Sequence, residues 1–560
     1  MDHIITDVLI VGGGGAACRA AIAASDAGAD VFMATKKKPG KGGATTFPVA
    51  EMAGYNAADP SIQGDIEGHY QDIVNAGKGM ADEKLARILA EEAPATIKTL
   101  ESWGLEFEKE DGRYYIFQSC FSSAARTHVI RGHGEPIVAV MKRQIAGRSS
   151  IKVASGITVI ELIMKDGVCS GAWGIDEEGK LCQISAGAVV LATGGAVQAF
   201  QRNLNPRDVS GDGYLLGYQA GAELVNMEFM QAGVGFSHPV FNIFNGYIWA
   251  AYPSLSNKTG EKFLQNYIPE SMTESHVMKA HRHHFPFSSS DDSKYIEISI
   301  QKEILAGHAG EHGGIYADLR HMKPSFVNEI PDDCGIHHMW PVAMDHMKER
   351  GVDLLKERVE ISVFAQAING GIRIDERGAS NIPGLYAAGE SAGGPHGADR
   401  LGGNMMVTCQ VFGKRAGEYA AKWALAQKSR IQPGLFREPH IWELLHRLAD
   451  TESGIRCLQK VNQENLLVCR NEQGLKKVLD YAEEELKQLQ ELPIGDQVNG
   501  GMYSLYSLLM STKMMASAAL YRRESRGSHY REDYPDMDGQ KAVATVQRKS
   551  DIKEVKGFHL

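Results

Sequence analysis

At 560 residues the chain is too long for one hydrophobic core and divides into roughly two to four domains. A hydrophobic content of 43% with 23% charged residues is that of a soluble globular protein, and a net charge of −10 argues against a nucleic-acid-binding surface. No apolar run reaches membrane-spanning length, and the opening MDHIITDVLIVGG lacks the basic start and cleavage site of a signal peptide. A cytoplasmic location is expected, or a peripheral one at the membrane through a partner, with no direct membrane insertion. Cys18, Cys120, Cys169, Cys182, Cys334, Cys409, Cys457 and Cys469 are scattered, with no pair at CxxC spacing. That pattern predicts buried free thiols and no iron–sulfur or zinc site held by this chain alone.

Asp7–Val11 is a β-branched run ending in four glycines, Ala16–Ala27 is alanine-rich with helical propensity, and Ala29–Thr35 reads as a second strand. Strand, turn, helix and strand in this order predict a parallel sheet. Residues 82–103 and 134–146 predict helices, and the alternation over Ile151–Trp173 predicts antiparallel strands. Ala188–Ala192 predicts a short buried strand that ends in Thr193, Gly194 and Gly195. From about Phe236 aromatic and histidine residues become dense, including HRHH at His281–His284 and IHHMW at Ile336–Trp340. Sheet periodicity returns at Val359–Ile374, residues 437–525 are strongly helical, and the tail after Pro535 reads as a polar extended arm. The predicted domains are 1–235 and 356–435 for a discontinuous nucleotide-binding unit, 236–355 for an insertion, and 436–560 for a helical unit with its tail.

The Gly12-x-Gly14-x-x-Ala17 turn follows a strand and opens a helix. Its first glycine permits the tight turn, its second lets the backbone approach a pyrophosphate, and Ala17 is small enough for close helix–strand packing. Gly15 lies at the helix N-terminus, where free N–H groups and a partial positive charge favour phosphate. The second strand ends in Thr35-Lys36, without the acidic residue that usually meets a ribose. The Thr35 hydroxyl or backbone groups are expected there instead, which weakens an NAD reading. Lys37 and Lys38 read as a solvated basic loop.

Four segments, VLIVGGGGAA, VVLATGG (Val189–Gly195), NPRDVSGDGYLLGYQAGAELVNMEFMQ (Asn205–Gln231, with Asp212 in its GDG turn) and IPGLYAAGE (Ile382–Glu390), stand in an order specific to one family. With HGADRLGGN, VFGKRAGEYAA and SRGSHYREDYP (Ser525–Pro535), the chain resembles the flavoprotein subunits of succinate dehydrogenase and fumarate reductase, whose relatives include L-aspartate oxidase. The resemblance runs over nearly the whole length. It implies an α/β FAD-binding domain of Rossmann-like βαβ type, an inserted α+β capping domain and a C-terminal helical domain. It also implies FAD contacts from Glu390, His396, Arg400, Gly403, Asn404, Met405 and Met406, and structural roles for Arg526 and Arg531.

Departures from the family's pattern carry the functional expectations. Respiratory members attach FAD to a histidine after the second strand. Here that stretch is Lys41-Gly42-Gly43-Ala44-Thr45, so the resemblance implies noncovalent FAD. Two family histidines that hold a dicarboxylate correspond to Gly233 and Gln366, and an acidic segment to Ile248–Tyr252. The family's proton-carrying arginine corresponds to Ser293, leaving Lys294, Arg282 and Tyr252 as candidate donors. Arg400 survives and is suited to grip a carboxylate in bidentate fashion. Trp249 and Tyr252 are expected in a remodelled pocket that takes a larger substrate with one anionic group.

The expected function is hydride transfer between FAD and an organic acid or acid conjugate other than succinate or fumarate. Backbone N–H groups around Gly402 and Gly403 would stabilise developing negative charge, and electrons would be exchanged with an iron–sulfur partner. Two alternatives are a flavin relay subunit without its own substrate and an L-aspartate oxidase-like enzyme. No metal site is expected. His281, His283 and His284 read as a solvated or interface cluster, and His308 and His312 sit in a glycine-rich loop unsuited to a helical ligand pair.

Overall fold

The computed structural model describes residues 2–282, 285–323, 325–330, 335–427, 437–539, 542–549 and 551–555. Its largest sheet carries strands Ile151–Ser155, Val31–Thr35, Asp2–Val11, Leu181–Leu191, Val168–Ile175 and Thr158–Lys165 in that order, and Leu385–Ala387 pairs with Leu181–Leu191. Asp2–Val11 runs parallel to both its neighbours, as a βαβ unit requires. Within the stretch expected to be antiparallel, Ile151–Ser155 instead pairs in parallel with Val31–Thr35. Only the next two strands form an antiparallel hairpin. Period-two alternation reports the buried face of a strand and carries no information on the direction of its partner.

The sheet is covered by helices Gly15–Asp26 and Asn404–Ala426. They approach closely because small residues line their contact. A Cβ added at Gly417 would lie 2.1 Å from Ala20 O. This contact brings the first nucleotide-binding turn against the segment that follows Arg400.

The insertion has its own five-stranded sheet, in the order Asn242–Ile243, Met230–His238, Val359–Ile368, Ile315–Asp318 and Ser254–Ser256. Of its two long central strands, Met230–His238 begins before residue 236 and Val359–Ile368 lies wholly beyond residue 355. The sheet therefore reaches past both edges of the insertion read from sequence. Aromatic density marks the interior of the insertion, whereas Met230–His238 runs unbroken through its first edge.

Helices Thr451–Asn465, Glu472–Glu491 and Gly500–Tyr521 form the helical domain. It is tied back by buried ion pairs, Arg522 with Glu228 at 2.6 Å and with Glu524 at 2.7 Å. Arg526 pairs with Glu524 at 2.9 Å, and Arg531 with Asp533 at 2.7 Å. The tail is more than an extended arm. Ala544–Gln547 pairs with Leu224–Val225 and with Ile552–Val555, and Ala544 and Val546 are buried. Pairing on both sides and burial of two alternate apolar residues fix this strand.

Candidate active site

The first glycine turn is dictated by backbone shape. Gly12 has φ +127°, and a Cβ there would lie 2.2 Å from Ala192 O. Gly12 N–H donates to Ala34 O at 3.0 Å, Cys18 N–H makes the first helical bond to Gly14 O, and Gly15 N–H donates to Thr45 Oγ1 at 3.2 Å. The helix N-terminus thus opens onto a cavity that runs from Thr35 and Lys36 to Met405 and Met406.

Gly12, Gly14, Gly15, Thr35, Lys36, Gly42, Gly43, Ala44, Thr45, Thr193, Gly194, Asp212 and Glu390 line this cavity. So do Gly13, Asp208 and Cys409, which the sequence motifs do not mark. Lys36 is engaged by Asp212 at 2.7 Å and by Ser210 Oγ at 2.9 Å. Lys37 lies 3.8 Å from Asp208, which also accepts Gly43 N–H at 2.8 Å and so fixes the glycine loop. Ala17, Lys41, Gly195, Asn404 and His396 lie outside the lining. Gly195 is nevertheless essential to it, because a Cβ there would fall 2.1 Å from Glu390 Oε1. His396 is a buried turn residue bonded to Thr408 Oγ1 at 3.1 Å, and burial pushes its imidazole down to about 3.

Glu390 accepts Ile368 N–H at 2.9 Å. Its burial pushes the carboxyl up to about 7, against the pull of that N–H and of the Arg400 charge. An acceptor group sealed in this way, next to a glycine cradle at a helix N-terminus, fits a polyol chain joined to a pyrophosphate. The residues present therefore fit FAD.

A second cavity, of about 240 Å³, meets the first at Met405 and Met406. Arg282, Arg400, Gln366 and Gly403 line it, together with Phe117, Cys120, His133, Asn245, Tyr247 and Phe285. Arg400 is 7% exposed; its Nε donates to Gln231 Oε1 at 3.0 Å and its Nη1 to Leu401 O at 2.9 Å. Gln231 donates back to Arg400 O at 3.4 Å, which locks the arginine's rotamer. Among the described residues Arg400 forms no ion pair with a carboxylate. Gln366 Oε1 is buried and has no hydrogen-bond partner among the described residues. Gly233 is covered by the Phe285 ring, whose Cζ would lie 2.6 Å from a Cβ at that position.

The structure does not bring the other candidate donors here. Lys294 donates to Ser289 O at 3.2 Å and does not line the cavity. Tyr252 faces a separate surface hollow with Asp318 and His321. Trp249 is buried against Phe244 and His281 and belongs to the core. His281 is not solvated: it is fully buried, 3.1 Å from Glu297. His283, His284 and Cys334 lie outside the described residues. Cys120 escapes the motif reading; the signal that could have marked it is its place in FQSC, directly ahead of the strand that returns to the sheet through Thr127.

Residues 7–406 match the FAD binding domain family, and residues 455–555 match the C-terminal domain of fumarate reductase flavoproteins. An FAD-dependent oxidoreductase of Methanocaldococcus jannaschii is 33% identical over 95% of this chain and 94% of its own length. One of the subunits of the CoM/CoB fumarate reductase of Methanothermobacter marburgensis is 30% identical over 95% of this chain and 94% of its own. The solved structure of Mycobacterium smegmatis Sdh1 in complex with UQ1 superposes with a TM-score of 0.81 at 28% identity, over 100% of this chain and 95% of that one. With the FAD-shaped cradle, these matches make the chain an FAD-dependent oxidoreductase that belongs to the succinate dehydrogenase and fumarate reductase flavoprotein family.

Proposed function

We propose that the chain reduces or oxidises an organic acid, or acid conjugate, that carries one anionic group and an apolar or aromatic body, with noncovalent FAD and an iron–sulfur partner. The observation that carries this reading is the second cavity. It is lined by two guanidinium groups, Arg282 and Arg400, among Phe117, Phe285, Tyr247, Ile243 and three methionines. A compact dianion would leave much of that apolar wall uncovered, whereas a longer acid would bury it. Bound FAD supplies two-electron hydride chemistry. Arg400, whose Nη2 has no protein partner among the described residues, grips the carboxylate. The Gln366 Oε1, unpartnered among the described residues, is a ready hydrogen-bond acceptor for a second polar atom of the substrate.

Noncovalent attachment is supported by the Lys41–Thr45 loop, in which no side chain is a nucleophilic imidazole. The electron partner is supported by the Methanothermobacter relative, whose name makes it one part of a multi-chain reductase. The test is anaerobic. The flavin is photoreduced, and its absorbance is followed after addition of fumarate, crotonate or trans-cinnamate. Faster reoxidation by cinnamate than by fumarate is expected. Preferential reoxidation by fumarate would refute the remodelled pocket.

A further inference from the structure

Cys120 lines the second cavity between two parts of the molecule. Its carbonyl accepts Gly402 N–H at 3.2 Å, and Ser119 Oγ donates to Gly402 O at 3.1 Å, which staples the FQSC segment to the turn after Arg400. From the capping side, Phe285 N–H donates to Cys120 Sγ at 3.0 Å. With a lone pair held there, the S–H hydrogen is left to turn toward the cavity.

A thiol alone would not mark a site, but Arg400 supplies an independent sign of a ligand. Its guanidinium is 7% exposed and lines the same space, and its Nη2 has no protein partner among the described residues. A buried cation with an open N–H pair is where an anion is held. The other titratable groups on this cavity are Arg282, His133 and Tyr247. His133 is kept neutral, burial pushing it down to about 4. The Tyr247 hydroxyl accepts from Asn245 Nδ2 at 2.7 Å.

We propose that Cys120 is the proton donor to the substrate, in the role that Ser293 cannot fill. This rests on the organic-acid reading above. Arg400 holds the carboxylate, so the carbon bonded to it lies toward the neighbouring thiol. In the reductive direction the C=C π bond breaks and two C–H bonds form. One takes the hydride contributed by reduced flavin, and the other takes the Sγ proton. The substrate gains two electrons, the flavin loses two, and the thiolate left behind recovers a proton from water. In reverse, the thiolate accepts the proton. Burial pushes the Cys120 thiol up, while Phe285 N–H and the Arg400 charge pull it back, so the proton is in place at neutral pH.

The test uses the flavin-loaded protein and the enoate that the wild type reduces fastest among fumarate, crotonate and cinnamate. C120A and C120S should slow flavin reoxidation by about a hundredfold or more, the range of general acid catalysis. Flavin content and affinity for the saturated acid 3-phenylpropanoate, read from the flavin spectrum, should stay within about twofold, so that the loss is in the chemical step alone. The wild-type rate should fall as alkaline pH removes the thiol proton, and the residual C120A rate should lack that limb. A readout without turnover is alkylation of Cys120 by iodoacetamide, followed by peptide mass, which 3-phenylpropanoate should slow. A C120A rate within about threefold of wild type would overturn the proton role and leave the organic-acid reading standing. Alkylation indifferent to the acid would place Cys120 away from the substrate and overturn it as well. A wild type that reduces none of the acids would refute the organic-acid reading, and the proton role with it.

Discussion

Replacing Glu390 with glutamine should change how stability depends on pH. The carboxyl is buried and its pKa rises from the ordinary 4.5 to about 7. The acid is thus harder to ionise in the folded protein than in the unfolded chain. Between these two values the unfolded chain has released the proton and the folded protein still binds it. Stability therefore falls as pH rises through this window and is level above it. The shift corresponds to roughly 3 kcal/mol for the flavin-free protein at pH 7.5, taking about 1.4 kcal/mol per tenfold change in proton affinity. Buried imidazoles act in the opposite sense: His69 and His133 are pushed down to about 4 and His396 to about 3, so each erodes stability as pH falls below its unfolded value. The wild-type curve mixes these effects, but the difference between wild type and E390Q isolates the carboxyl. Urea denaturation of both flavin-free proteins from pH 5 to 8 measures it. E390Q should gain on the wild type by about 2.5 kcal/mol across that range. Parallel curves would refute the buried, protonated carboxyl. Adding FAD should shrink the difference, because hydroxyl donors from a bound polyol would favour the ionised form.

Three other perturbations test the framework. Gly12→Ala places a Cβ 2.2 Å from Ala192 O at φ +127°, so the purified protein should carry no flavin by absorbance. Arg400→Met should retain flavin but bind 3-phenylpropanoate at least about tenfold more weakly by spectral titration, the loss of a charge-assisted bond of about 1.5–3 kcal/mol. Arg126 pairs with Asp65 at 2.5 Å and with Asp72 at 2.6 Å inside the first domain. Arg126→Met strands two carboxylates and should lower stability by about 3–5 kcal/mol in urea denaturation, without a selective effect on acid binding.

The FAD half of the site was legible because backbone shape dictates it. Gly12, Gly43 and Gly403 have φ values of +127°, +79° and +80°, and only glycine occupies such positions readily, so the requirement appears in the sequence as a fixed residue type. The surrounding fold was legible for a similar reason, since strand and helix periods are local. Long-range pairing was not. The parallel neighbour of Ile151–Ser155 and the strand formed by Ala544–Gln547 each depend on a partner far along the chain.

The substrate half is built entirely from such distant meetings. Cys120 comes from a loop of the first domain, Arg282 from the end of the helix Glu274–His281, Gln366 from the strand Val359–Ile368, and Arg400 from the second flavin segment. What joins them is the register of the capping sheet, which sets Gly233 opposite Phe364 and bridges it to Pro286. That register carries the Phe285 ring over Gly233 and brings Phe285 N–H to the Cys120 thiol. The bare backbone at Gly233 and the ring of Phe285 therefore fit one another in space, although the two positions are far apart in sequence. Aligning the family's catalytic arginine with Ser293 pointed to a missing group and to neighbours such as Lys294. The fold places a different arginine, Arg282, and a thiol on the same cavity. A chemical role can thus pass to another segment when the capping sheet delivers that segment to the same space.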